Sequence, residues 1–189
     1  MEQIRLQVMT RELCHALFKE WTNDESIYMD MNLFKPFDYD INAVNHYFDS
    51  KQDSSRILFA IMLSERPIGE LQLKHIDYDK KECTLSIHLQ NDAVKGKGYG
   101  THAEQIAVEY AFEKLGMTAV NADTVIKNIR SQHVLEKAGF KLVKEEGLFR
   151  YYRIERSIPG NTPKQNRPGH SKTAGTITAV GKAHRHHSR

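Results

Sequence analysis

The sequence predicts an α/β fold of the α+β kind, a mixed and largely antiparallel central sheet carrying about four helices. Three observations lead there. The segments run in the order β-α-α-β-β-β-α-β-α-β-β. Three strand-like runs between residues 56 and 90 follow one another through short turns, as an antiparallel meander does. A glycine triplet then separates the last of these strands from a long amphipathic helix.

Each element has a local reason. Ile4, Leu6 and Val8 alternate with polar residues, which reads as a first strand. Thr10 is placed to cap a helix on which Leu13, Leu17 and Trp21 recur three to four apart. Residues 22–40 are irregular, mixing Tyr28, Phe34 and Phe37 with Asp30, Asp38 and Asp40, and read as a loop or broken helix. Asp40 caps a second helix with Ile41, Val44 and Phe48 on one face. Arg56 to Leu63 is a nearly continuous apolar run, as in a central strand. A turn at Ser64-Glu65-Arg66-Pro67 leads to its hairpin partner, Ile68 to Ile76. Asp79-Lys80-Lys81 turns into Glu82 to Gln90, with Cys83, Leu85, Ile87 and Leu89 on one face and Thr84, Ser86, His88 and Gln90 on the other.

The second half has clearer punctuation. Thr101 and Glu104 have the Thr-x-x-Glu spacing of a capping box. Ala103, Ile106, Ala107, Tyr110, Ala111 and Leu115 form the buried stripe of the helix that follows, and Gly116 ends it. Ala119 to Ile126 is a strand. Asn128 or its neighbour opens a last helix through Val134, Leu135 and Ala138, stopped by Gly139. Phe140 to Lys144 and Leu148 to Ile154 read as closing strands around Glu146-Gly147.

These elements fill residues 1–156 and make one domain, long enough to bury a core. Residues 157–189 differ in composition. They hold three of the five prolines and little apolar content, and they read as a basic, disordered tail. That tail carries Lys164, Arg167, Lys172, Lys182, Arg185 and Arg189 without an acid, so +3 for the chain less +6 here leaves −3 for the domain. A slightly acidic domain suits a cationic ligand, and a nucleic-acid partner is not expected. No apolar run reaches the ~18 residues of a membrane span, and the chain starts directly into strand pattern, so no signal peptide is expected. Cys14 and Cys83 both lie in apolar pattern and read as buried free thiols in a reducing cytoplasm. His184-Arg185-His186-His187 lacks a structured ligand set, so no metal is expected.

Lys95-Gly96-Lys97-Gly98-Tyr99-Gly100-Thr101 carries the chemistry. Glycine permits sharp turns and close ligand approach, and a helix start offers unpaired N–H groups with a favourable dipole for an anion. Lys95 and Lys97 add charge, so the expected ligand is a phosphate or pyrophosphate. The G-x-G-x-G spacing is not that of a dinucleotide fingerprint, and Gly-Lys is not followed by Ser or Thr as in a Walker loop.

This stretch resembles the acyl-CoA signature of the GNAT acetyltransferase superfamily, with Lys95 where Gln or Arg is usual. A second stretch, Asn128-x-x-Ser131-x-x-Val134-Leu135-Glu136-Lys137-Ala138-Gly139-Phe140, is similar to the branch that includes ribosomal-protein N-terminal acetyltransferases. The resemblance covers about residues 3–156 and implies a GNAT-like fold, acetyl-CoA as co-substrate and an amine acceptor. It would place the pyrophosphate on backbone amides of Lys97, Gly98, Tyr99, Gly100 and Thr101, beside Lys95 and Gly96. Pantetheine would lie where the strand of Ile87, His88 and Leu89 splays from residues 119–126, with the His88 N–H polarising the thioester carbonyl. Asn128 and Ser131 would face the cofactor arm.

The sequence departs from that family where proton transfer is expected. Thr84 stands where many members carry a Glu, and Leu135 where many carry a Tyr acid. The base candidates are His88, Glu70 and His75, through water lined by Thr84 and Ser86. The serine of the second motif is a proposed proton donor in its branch, which implies that role for Ser131. Asp30, Asp38 and Asp40 lie where the family builds its acceptor site, which favours a cationic amine. The functional expectation is an N-acetyltransferase, monomeric or homodimeric, acting on a small-molecule amine or a protein N-terminus. The alternative is a non-catalytic acyl-CoA-binding or regulatory module.

Overall fold

The computed structural model describes residues 3–157 and 177–178. Eight strands form one sheet: β1 (Ile4–Val8), β2 (Ile57–Leu63), β3 (Arg66–Asp77), β4 (Glu82–Leu89), β5 (Ala119–Val125), β6 (Lys141–Glu146), β7 (Phe149–Glu155) and the two-residue β8 (Ile177–Thr178). Their order across the sheet is β6-β7-β5-β4-β3-β2-β1-β8. Among the described residues only β4/β5 and β1/β8 pair in parallel. The helices are α1 (Arg11–Phe18), α2 (Ile41–Ser50), α3 (Tyr99–Glu113) and α4 (Ile129–Ala138). This is the mixed, largely antiparallel sheet with four helices that the sequence predicts.

Period-two alternation divides the core between the two faces of the sheet. On one face Leu6, Phe59, Ile61, Leu71, Leu73 and Leu85 pack against Ala103, Ile106, Ala107 and Ala111 of α3, with Leu135 of α4 beside them. On the other, Leu58, Ala60 and Met62 pack against Cys14, Leu17 and Phe18 of α1 and Val44 of α2. Both cysteines are buried and free. Among the described residues no helix is long and apolar enough to cross a membrane.

Several local readings are corrected. α1 ends at Phe18, so Trp21 lies beyond the helix and packs on Phe18 at 5.0 Å between ring centroids. The first hairpin turn is only Ser64-Glu65, with Ser64 at φ 53°, and Arg66 and Pro67 already belong to β3. Proline fits there because it sits at the strand start beside an irregularity in the β2/β3 register. The capping box does not form. Gly98, left-handed at φ 83°, is the N-cap of α3, so the helix begins at Tyr99 and Glu104 falls in its second turn. The expected disordered tail lies outside the described residues except at 177–178, where β8 pairs with Leu6 and Gln7.

Candidate active site

β4 and β5 pair at four positions, from Glu82 opposite Ala119 to Leu85 opposite Ala122, and then part. Beyond that point β4 stays on β3, with Ile87 opposite Leu71 and Leu89 opposite Gly69. β5 stays on β7 as far as Val125 opposite Phe149. Gly69 is what lets β3 and β4 lie so close. A Cβ there would stand 2.7 Å from the His88 carbonyl oxygen and 2.9 Å from Leu89 Cδ2. The gap holds a cleft of about 330 Å³ lined from both faces of the sheet. Leu85, Gly100, Ala122, Val134 and Leu135 line the side of α3 and α4, while Trp21, Asp24, Lys74, Ser86, His88 and Asp123 line the opposite side.

Of the residues named from sequence, Ile87, His88, Leu89, Lys95, Gly100, Asn128 and Ser131 line this cleft. Gly96, Lys97, Gly98, Tyr99 and Thr101 form the turn and first helical residues beside it. Gly96 and Gly98 have φ of 74° and 83°, and among the described residues no atom beyond the adjoining residues lies within 4 Å of a Cβ added at either. Gly98 offers no side chain to the first-turn N–H groups of α3, which leaves them for a ligand. Gly100 has no positive φ; it faces α4, where an added Cβ would lie 3.5 Å from Val134 Cγ1.

Three expectations change. Thr84 does not line the cleft; it lies opposite Lys74 and Asn121, where the strands are still paired. His75 sits at the far end of β3, exposed and at φ 52°, away from the cleft. The N–H of His88 points away from the gap. Gln90 N–H donates to the Ile68 carbonyl at 2.9 Å, and the β3/β4 register runs unbroken from Gly69–Leu89 to Lys74–Thr84. Alternation along the strand therefore turns the His88 N–H toward Glu70 on β3, and those of Ile87 and Leu89 toward the gap.

The His88 side chain does reach the cleft, 48% exposed, 6.4 Å from the Trp21 ring by centroids. Its Nδ1 lies 3.8 Å from Oε1 of buried Glu70. Desolvation by the surrounding cleft walls holds the imidazole below its usual pKa even with about half of the side chain open, against the charge of Glu70, which pulls it up. Glu70 is held in turn. The Tyr47 hydroxyl lies 2.7 Å from each carboxylate oxygen, Gln72 Nε2 donates at 3.4 Å, and Arg56 donates to Gln72 at 2.7 Å. Burial and the Glu70 charge push the Tyr47 hydroxyl far up, so it remains a donor, and push the Cys14 thiol up to about 12.

At the mouth, Lys95 is 11% exposed and bonds Asp24 Oδ2 at 2.5 Å and Asp92 Oδ1 at 3.1 Å. Arg130 approaches the same two acids at 3.9 and 3.4 Å. The Lys95 charge thus ties the glycine turn to the loop after α1. Asp30 and Asp40, expected at an acceptor site, are instead N-caps, accepting from Asn32 N–H at 2.9 Å and Ala43 N–H at 2.6 Å. None of Asp30, Asp38 and Asp40 lines the cleft, whereas Asp24 does. Asn128 caps α4, its Oδ1 accepting from Ser131 N–H at 3.0 Å, while both residues also face the cleft.

Glu104 lines the cleft as well. Its spacing of four from Gly100 and three from Ala107 is the sequence signal that it faces inward; the capping-box reading hid it. Trp21 and Asp24 had no such signal, since their place follows from how the loop after α1 returns over the end of β4. That return is fixed by Thr22 N–H donating to the Gln90 carbonyl and by Gln90 Nε2 donating to the Leu17 carbonyl.

Comparison with known proteins agrees with this architecture. The family described as acetyltransferase (GNAT) domain matches residues 3–141. The probable N-acetyltransferase YjcK of Bacillus subtilis (strain 168) is 34% identical over 86 residues, so the match spans about half the length of that relative and 46% of this chain. The spermidine N-acetyltransferase of Vibrio cholerae, solved in complex with CoA and spermine, superposes with a TM-score of 0.66 at 16% identity, over 82% of this chain and 96% of that one. The N-acetyltransferase PseH of Campylobacter jejuni superposes with a TM-score of 0.59 at 21% identity, over 82% of this chain and 99% of that one.

Proposed function

The chain belongs to the acetyltransferase (GNAT) family, and on that premise we propose that it transfers an acetyl group from acetyl-CoA to a primary amine of a small molecule or a protein N-terminus. The observation that carries this reading is the parting of β4 and β5 after Leu85 and Ala122. It opens a slot through the sheet beside a glycine turn, lined on the far side by polar groups. The residues present fit the co-substrate. The N–H groups of Lys97 to Thr101 hold the pyrophosphate at the uncapped start of α3, where Gly96 and Gly98 leave open space. The slot between the strands takes the slender arm, with Asn128 and Ser131 beside it and the N–H groups of Ile87 and Leu89 turned into the gap. Acetyl-CoA supplies an acyl group already activated as a thioester.

The acceptor enters from the face of His88. An alkylamine is mostly protonated at neutral pH, and losing that proton at pH 7 costs about 4–5 kcal/mol. His88, whose pKa is lowered by desolvation in the cleft, receives the proton, and Glu70 stabilises the imidazolium that results. Asp123, on the same side of the cleft as His88, favours a cationic acceptor, whereas the charge of Asp24 is already met by Lys95. The solved neighbour in complex with spermine supports the polyamine class. The ribosomal-protein branch rests on the Asn128–Phe140 motif alone. The buried free cysteines support a cytoplasmic setting.

The test is release of free CoA thiol from acetyl-CoA in the presence of an amine panel containing polyamines, amino sugars and N-terminal peptides. Leu135, apolar and buried where many family members carry a tyrosine acid, favours a second reading, an acyl-CoA-binding module without turnover. Tight CoA binding without thiol release on any amine would establish that second reading.

A further inference from the structure

Glu104 is the exception in an apolar part of the cleft. It stands in the second turn of α3, with no exposed surface, and lines the cleft on the same side as Leu85, Gly100, Ala122, Val134 and Leu135. Neither carboxyl oxygen has a hydrogen-bond partner. Buried polar atoms in folded proteins are nearly always paired, and an unpaired one costs free energy that a leucine at the same place would not. The geometry also fits a narrow ligand. The apolar side chains on that side offer no donor, and the same cleft is lined by Lys95 and Gly100 of the glycine turn. Among the described residues Glu104 is the only carboxyl that lines that side of the cleft, so an N–H arriving there would meet it.

We propose that Glu104 is a cofactor-contacting residue, whose carboxyl pairs with an amide of the pantetheine arm when acyl-CoA fills the slot. The inference rests on the acetyl-CoA reading above and adds a contact to it. The arm carries two amides between its pyrophosphate and its sulfur, so it brings both a donor and an acceptor into an apolar channel. Its carbonyls can meet the N–H groups of Ile87 and Leu89, but an amide N–H facing the apolar wall has no acceptor there other than Glu104. The pairing satisfies protein and ligand together and gives the arm a fixed depth in the slot.

Calorimetric titration with two ligands tests this: CoA, and adenosine 3′-phosphate 5′-diphosphate, which is the head of CoA without its arm. Glu104→Leu fills the same space with no polar atom and is expected to weaken CoA binding about tenfold or more, leaving the head's affinity within about twofold. Glu104→Gln keeps a donor and an acceptor and is expected to bind CoA within about threefold of the unmodified protein. CoA affinity unchanged in Glu104→Leu would overturn the contact. Equal weakening of both ligands would also overturn it, because the effect would then come through the start of α3. If the unmodified protein bound neither ligand, the acetyl-CoA reading itself would fall, and this inference with it.

Discussion

Nδ1 of His88 lies 3.8 Å from Oε1 of Glu70, across the β3/β4 pair and on the face of the sheet opposite α3. The carboxylate is fixed by Tyr47, so the imidazole has a buried negative partner on one side and the open cleft on the other. His88→Ala should lower kcat about a hundredfold, within the range for loss of a general base. The acidic limb of the pH–rate profile should lie below the usual imidazole range, since desolvation by the cleft walls lowers the His88 pKa. The Glu70 charge opposes that shift, so Glu70→Gln should move the limb to still lower pH while keeping the Tyr47 contact. Steady-state rates against pH for the three proteins check this; a limb that moves up, or not at all, would contradict it.

Glu104 makes a second pH dependence, in stability. Burial alone pushes its carboxyl up from 4.5 to about 8. Between those values the unfolded chain releases the proton and the folded one keeps it. Stability is therefore highest below the unfolded pKa, falls as pH rises toward the folded one, and levels off above it. At pH 7 the penalty is roughly 3 kcal/mol. Glu104→Gln should remove it. Melting curves between pH 5 and pH 8 should show the unmodified protein losing on the order of 10 °C more than the variant. Parallel curves would mean that Glu104 is charged or paired in the folded state.

Much of the fold was legible because its signals are local. Asn128 and Gly139 bound α4 as a cap and a left-handed stop, and Ile4 and Leu6 alternate into the core. The capping box failed for a local reason too. Gly98, left-handed, starts the helix before Thr101, so the Thr101–Glu104 spacing falls inside the helix and not at its start. The site was less legible because it is made by distant pairings. Lys95 meets Asp24 across 71 residues, and Tyr47 on α2 meets Glu70 on β3. The parting of β4 from β5 leaves no mark in either strand's pattern, and the direction of the His88 N–H depends on a register that sequence does not supply.

The glycine turn should respond in two ways. Gly98→Val places a β-branched residue at φ 83°, a region such residues rarely adopt, and should weaken CoA binding more than tenfold. Gly100→Ala meets only ordinary contact with Val134 and should fold with nearly unchanged melting temperature. Titration calorimetry on folded Gly98→Val checks the first; unchanged affinity would remove the turn from the binding site.

Ser131 faces the cleft one turn from Leu135, which cannot donate a proton. Its backbone N–H is already held by Asn128, so removing the hydroxyl leaves the cap of α4 intact. Ser131→Ala should lower kcat about ten- to a hundredfold, roughly 1.4–2.7 kcal/mol, with little change in CoA affinity. A kcat within about twofold would assign the hydroxyl a structural role and send the proton to sulfur by another route.

Transfer itself can be followed with an isotope-labelled acetyl group passing from acetyl-CoA onto an amine. With a polyamine such as spermidine at saturating concentration, the unmodified protein should form one labelled amide for each free thiol released, and His88→Ala should slow both equally. Retention of all label on CoA across polyamines, amino sugars and N-terminal peptides, in a protein that binds CoA, would contradict the account.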